Sequence, residues 1–216
     1  KIWDGKIRLY NQLNKELYVG LLPYIKEFAD VRQVDMEYEM CDRYGLPETT
    51  DMCDEDVLNQ FIESLNLHSR NQRIAPRDYQ VTAIKHAMIN NRAVLLSPTA
   101  SGKSLIIYIL TRLFLDMDTG QKALIVVPTT SLVEQMTSDF LDYSSYDETF
   151  GAEDIHKIYS GKEKISNNKV IITTWQSIYK LPGSWFEQFG MVVGDEAHTF
   201  KAKSLTSILE KLRDCK

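Results

Sequence analysis

From about residue 69 onward, this 216-residue chain predicts an α/β fold in which helices cover a mostly parallel sheet. Three observations predict it. Short apolar runs at residues 93–97, 123–127, 170–174 and 191–194 have the length of buried strands. Helical patterns at residues 104–115, 131–141 and 177–189 separate most of them. The polar motifs of the chain fall just after the apolar runs, at the carboxyl ends of the strands, where such sheets bind ligands.

The elements before residue 69 read differently. Residues 7–10 and 17–21 suggest two short strands around the polar turn 11–15. Tyr24, Ile25 and Phe28 share one face of a short helix. Val57, Leu58, Phe61, Ile62 and Leu65 recur at helical spacing, which predicts a helix over 54–65. Residues 66–73 are polar and read as a linker. The expected division is therefore a small α+β domain over 1–68 and a second domain over 69–216. Pro76 and Asp78 open the second domain with a helical run through Asn90.

Composition narrows the function classes. Hydrophobic residues make up 44% and charged residues 25%, as in ordinary globular proteins. No run of about 18 apolar residues occurs, so no membrane-spanning helix is expected, and the expected place of work is the cytoplasm. The opening Lys1-Ile2-Trp3-Asp4 does not read as a signal peptide; without an initiator Met it reads as the start of a trimmed fragment. Cys41, Cys53 and Cys215 form no zinc-type spacing and read as reduced thiols. The net charge of −5 is unevenly placed. Residues 35–68 hold ten acids and a single base, Arg43, whereas residues 69–216 hold eighteen bases and sixteen acids. The acidic block reads as a solvated surface. The near-neutral remainder can still track a nucleic acid if its bases line one face.

Two motifs carry chemistry. Ser97-Pro98-Thr99-Ala100-Ser101-Gly102-Lys103-Ser104 follows a strand and precedes a helix. A phosphate chain needs converging backbone N–H groups, a lysine for the β and γ phosphates, and a hydroxyl on Mg²⁺. Gly102, Lys103 and Ser104 supply them in that order. Ser97 stands where a first glycine would be, and Ala100 costs little unless its φ must be positive. The second motif is Asp195-Glu196-Ala197-His198, at the end of the 191–194 run and 92 residues after Lys103. Asp195 can hold Mg²⁺ together with Ser104, Glu196 can orient and deprotonate a water, and His198 can sense the γ-phosphate. Two exposed acids at a helix start would look the same in isolation.

With these residues in place, the chain resembles the superfamily 2 helicases. Arg77-Asp78-Tyr79-Gln80 is similar to their adenine-reading element, with Arg77 and Gln80 on the base. Residues 98–104 are similar to motif I, Val127-Pro128-Thr129-Thr130 to motif Ia, Thr173-Thr174-Trp175-Gln176 to motif Ib, and residues 195–198 to motif II in its DEAH form. Within that superfamily the chain resembles the UvsW helicases of T4-like bacteriophages. It does so through Trp3-Asp4-Gly5-Lys6-Ile7-Arg8-Leu9, Thr174-Trp175-Gln176 and Trp185-Phe186-Glu187-Gln188-Phe189-Gly190-Met191.

The resemblance implies a RecA-like ATP-binding domain over 69–216, ATP and Mg²⁺ as cofactors, and catalytic Lys103, Asp195, Glu196 and His198. It implies a nucleotide cradle of Arg77, Gln80, Thr99, Ala100, Ser101, Gly102, Lys103 and Ser104. It also implies DNA as partner, branched or containing single strands, with RNA–DNA hybrids in R-loops, acted on by a monomer. Thr129, Thr130, Thr174, Trp175 and Gln176 would touch the nucleic acid. On physical grounds the threonines can bond phosphates or simply cap loops, and Trp175 can stack on a base or, more commonly, pack in the core. Trp185, Phe186 and Phe189 read as core.

No Ser-Ala-Thr-like motif and no second RecA-like domain follow in these 216 residues, so weak ATP binding and slow hydrolysis are expected of the fragment alone. Three other readings stand beside the DNA helicase. They are a double-stranded DNA translocase, an RNA helicase, and a non-hydrolysing module that ATP switches. Glu196 argues against the last.

Overall fold

The structure is a computed structural model and describes residues 10–17, 19–37, 54–90, 92–98, 100–159, 161, 163–196 and 203–212. Trp3 to Leu9, the three cysteines, Thr99 and His198 lie outside the described residues. The chain divides into two compact units, residues 1–47 and 48–216.

In the first unit, β1 (Tyr10–Asn11) and β2 (Glu16–Leu17) form an antiparallel hairpin. The turn is the polar stretch expected, with Asn11 Oδ1 accepting from Leu13 N at 3.0 Å. The strand expected over 17–21 ends at Leu17, and residues Val19–Leu21 form a 3-10 turn instead. Helix α1 (Leu22–Val31) follows with Pro23 in its first turn, where a missing N–H costs nothing. Tyr24 and Phe28 share a face as expected, but that face is exposed, and the Arg32 guanidinium lies 4.2 Å over the Phe28 ring.

Helix α2 (Glu55–Ser64) belongs to the second unit. Asp54 caps it by accepting from Asp56 N at 2.9 Å. Leu58, Ile62, Leu65 and Leu67 are buried in one cluster with Ile84, Ile106 and Tyr108. The boundary expected at residues 66–73 therefore moves to about residue 48. That stretch is no linker. Its ends form a two-residue hairpin, β3 (His68–Ser69) with β4 (Gln72–Arg73), and Asp142 accepts from Ser69 Oγ and Arg70 N at 2.9 Å each. A polar sequence read as a linker is tied down by a carboxylate 72 residues away.

The core of the unit is a four-stranded parallel sheet in the order β6-β7-β5-β8. Its strands are β5 (Lys122–Val127), β6 (Ile155–Ile158), β7 (Val170–Thr174) and β8 (Phe189–Gly194). Alternation along β5 explains its position. Ala123, Ile125 and Val127 join one apolar cluster, Leu124 and Val126 the other, so both faces are buried. Helices α3 (Asp78–Asn90), α4 (Lys103–Asp116) and α5 (Thr130–Tyr143) add to the first cluster. The second cluster takes Ile178 from α6 (Trp175–Ile178), Phe186 from α7 (Gly183–Phe186) and Ile208 from α8 (Lys203–Lys211).

Two expectations change. Residues 93–97 form no strand: Val94 is 76% and Leu96 95% exposed, while Leu95 packs against the first cluster. An apolar run becomes a strand only where a ladder partner exists, and among the described residues β8 pairs only with β5. The helix expected over 177–189 is two short helices, because Pro182 cannot continue a helix and instead precedes α7. Phe186 and Phe189 are buried, as the apolar spacing indicated, and Trp185 packs beside them with its indole N–H donating to Lys164 O at 2.8 Å.

Candidate active site

The loop before α4 is held by two side chains of α3, Tyr79 and Gln80. Gly102 stands at φ +78° and Ala100 at φ +63°, so two left-handed residues turn the chain into the helix. A Cβ on Gly102 would run into the Gln80 amide nitrogen, so both backbone and space require glycine there. Gln80 is 4% exposed. Its Nε2 donates to Ser101 O at 2.9 Å, and its Oε1 accepts from Arg77 N at 2.8 Å. Tyr79 adds a hydroxyl bond to Ser101 O at 2.9 Å, and Arg77 reaches the same hydroxyl. The adenine-reading element expected from Arg77 and Gln80 is thus fastened to the phosphate loop. For Gln80 to hold a base edge, one of these bonds has to exchange. Ser97 and Ser101 close the loop with a hydroxyl–hydroxyl bond.

The two chemical motifs meet. Lys103 Nζ donates to Glu196 Oε1 at 2.8 Å, across 93 residues of sequence. The hydrogen bond to Glu196 raises the Lys103 pKa, burial opposes it, and the charges of Glu196 and Asp195 add to the rise. Lys103 is therefore a full cation at neutral pH. Asp195 continues β8 by donating its N–H to Val126 O at 2.9 Å, and its Oδ1 accepts from Glu196 N at 2.9 Å. Glu196 sits at φ +54°, a non-glycine residue in the left-handed region where the strand ends. Such strain persists where surrounding contacts over-determine it, and it clusters at working sites. Ser104 Oγ lies 2.8 Å from the Tyr143 hydroxyl.

The hydroxyl and carboxylate expected to hold a cation, Ser104 and Asp195, are hard oxygen donors of the kind Mg²⁺ takes, and Lys103 suits a phosphate. Loop amides at a helix start, a cation, a hydroxyl and paired carboxylates can together bind a polyphosphate and activate a water.

The residues expected to meet nucleic acid crown the strand ends without forming a uniform surface. Thr129 is exposed and caps α5 by accepting from Leu132 N at 3.3 Å, and Thr130 is exposed beside it. Thr174 is buried, its hydroxyl 2.9 Å from Ser177 Oγ. Trp175 packs on the second cluster, edge-on to Tyr179 at 6.1 Å. Gln176 is exposed and donates to Pro128 O at 3.5 Å, bridging the tops of β5 and β7. Thr174 and Trp175 thus sit in capping and packing positions. Tyr79 and Tyr143 were not singled out from the sequence. Tyr79 lay inside the quoted element, but Tyr143 carries no local signal, since only helix packing brings it to Ser104.

Fold and site together define a RecA-like ATP-binding domain of the superfamily 2 helicase class. The chain belongs to the family described as "Type III restriction enzyme, res subunit", whose profile matches residues 73–216. It is 37% identical over 217 residues to "ATP-dependent DNA helicase uvsW" of Enterobacteria phage T4, a match that covers 99% of this chain and 41% of that protein. It is 26% identical over 198 residues to "DNA 3'-5' translocase XPB2" of Sulfurisphaera tokodaii, covering 91% of this chain and 36% of the relative. The chain therefore spans less than half the length of these curated relatives. Among solved structures, the UvsW helicase from bacteriophage T4 superposes with a TM-score of 0.83 at 35% identity, covering 99% of this chain and 73% of that one. No helix among the described residues is long and apolar enough to cross a membrane.

Proposed function

We propose that this chain is the ATP-binding part of a DNA helicase that uses ATP and Mg²⁺ to remodel branched DNA: forks, Holliday junctions and R-loops. The observation that carries the reading is the 2.8 Å contact between Lys103 of the phosphate loop and Glu196 of the acidic box. It brings both halves of a phosphoryl-transfer site to one point. The 37% identity to the phage T4 relative directs the choice of DNA. Residues 69–216 act as the first RecA-like domain, with α2 as its structural support, and the segment before residue 48 is a small α+β domain that touches DNA. The protein works as a monomer in the cytoplasm of a host cell.

The loop amides around Gly102 bind the phosphates, and Lys103 exchanges the Glu196 carboxylate for phosphate oxygens. Ser104 and Asp195 would hold Mg²⁺, whose part is to neutralise the phosphate charge. Glu196 orients the attacking water and takes its proton. Thr99 completes the cradle, and His198 senses the γ-phosphate. Thr129, Thr130 and Gln176 supply sequence-independent contacts to the DNA backbone from the exposed strand ends. Thr174 and Trp175 join them only by giving up the Ser177 bond and the packing on the second cluster.

The test is ATPase activity of the full-length protein without nucleic acid, with single-stranded DNA, with forked or four-way DNA, and with RNA. Stimulation by branched DNA that Glu196→Gln removes, with ATP binding retained, is the expected result. Stimulation by RNA alone would move the protein to the RNA helicases, and turnover in no condition would leave an ATP-switched binding module. The likeness to a relative named as a translocase favours one second reading, movement on duplex DNA without strand separation. Strand-displacement assays on forked and plain duplexes separate the two.

A further inference from the structure

The Ser104 hydroxyl has neighbours outside the phosphate loop. Tyr143, the last residue of α5, places its hydroxyl 2.8 Å from Ser104 Oγ. Asp139, one turn earlier on α5, interacts electrostatically with the same hydroxyl. Packing sets the position of the phenol independently of that bond. Its ring lies 5.6 Å from the ring of Tyr108 on α4, and Tyr108 is fully buried edge-on to Phe140 at 5.1 Å.

A serine hydroxyl has one proton and two lone pairs. When a lone pair goes to a divalent cation, the oxygen becomes a stronger donor and its proton needs an acceptor. A bulk water would leave the rotor undirected. Tyr143 Oη is such an acceptor, fixed on a helix that packs against α4, and the Asp139 carboxylate on the same helix adds its negative charge. We propose that Tyr143, backed by Asp139, is the positioning residue for Ser104: it draws the hydroxyl proton toward α5 and so turns the lone pairs toward the cation that accompanies the nucleotide. The inference rests on the reading of Ser104 as a metal ligand. Groups that orient a metal ligand from behind change metal affinity about 10- to 100-fold when removed.

The test measures binding of a fluorescent ATP analogue to the full chain, once with Mg²⁺ and once with EDTA, for wild type, Tyr143→Phe, Ser104→Ala and the double variant. Tyr143→Phe keeps the ring that Tyr108 packs against. It is expected to weaken binding about 10-fold in Mg²⁺, to leave binding in EDTA unchanged, and to add nothing to Ser104→Ala. An unchanged Mg²⁺ advantage, a gain in affinity, or an equal loss in both conditions would overturn the proposal; the equal loss would mark a merely structural residue. A Ser104→Ala variant that keeps the full Mg²⁺ advantage would instead remove the metal-ligand reading of Ser104 itself. Asp139→Asn, whose melting temperature reports folding, repeats the test should Tyr143→Phe not fold. It too is expected to lose affinity only in Mg²⁺, and no loss overturns the proposal.

Discussion

Ala100 stands at φ +63°, in the region where an L-residue crowds its own Cβ against the following carbonyl. That conformation costs a non-glycine residue roughly 1–2 kcal/mol. Glycine would relieve it, while giving the unfolded chain about 0.4–1 kcal/mol of extra freedom. Strain is the larger of the two. Ala100→Gly is therefore expected to stabilise the protein, by up to about 1 kcal/mol, read as a rise in urea midpoint at constant slope; a fall would mean the loop is not strained. Gly102 is the opposite case. Gly102→Ala must push the Gln80 amide aside, so it is expected to abolish nucleotide binding while far-UV circular dichroism stays unchanged. At Lys103 the sign is that of a base with a raised pKa. Its contribution to the bond with Glu196 persists through neutral pH and is lost as pH rises through that raised value, so no change in nucleotide binding near neutrality comes from this group.

Helix ends and strand faces carry the next set of consequences. Thr129 caps α5 and was also a candidate DNA contact. Loss of a cap costs about 1 kcal/mol. Thr129→Ala is expected to lower stability by that amount whether or not DNA is present, and an unchanged melting temperature would leave only the DNA role. Along β5 the alternation puts Ile125 in the first cluster with no exposure, so Ile125→Ala is expected to cost about 2–5 kcal/mol in chemical denaturation. Helices α3, α4 and α5 were legible because each repeats apolar residues at helical spacing over ten residues or more. The short strand β6, Ile-His-Lys-Ile, was not, since four residues with a polar centre resemble a loop until a neighbour pairs with them. Pro182 was visible in the sequence, and its break in the helix over 177–189 was a signal passed over.

Across the whole unit, α2 and the Arg112 network decide how much chain the fold needs. Leu58 has no exposure in the cluster that holds the sheet. A chain starting at residue 48 is expected to unfold cooperatively, and one starting at residue 69 to lose that cooperativity, as urea melts of both would reveal. Arg112 of α4 is ion-paired to Asp147, also bonds Tyr108 and Thr149, and lies 4.8 Å over the Phe150 ring. The two side chains are only 12% and 7% exposed. Burial alone would raise the Asp147 pKa, but the bonds from Arg112 and Thr149 prevail and hold it below the ordinary carboxylate value. Its contribution is therefore present above that ordinary range and is lost as pH falls through the lowered pKa. Asp147→Ala leaves the guanidinium without its carboxylate and is expected to cost about 3–5 kcal/mol at neutral pH. It should also flatten the acid limb of the stability curve.

The chain by itself determined the parallel α/β class, three long helices, three of the four strands and the two motifs that meet at Lys103 and Glu196. Those signals are local: apolar period, a glycine before a lysine, acids at a strand end. The tertiary structure alone decided that residues 93–97 stay unpaired, that α2 belongs with the sheet, that Gln80 is fastened to the loop, and that Tyr143 stands behind Ser104. Each of these depends on which groups lie across space from a segment, and a partner tens of residues away leaves no mark on the local pattern.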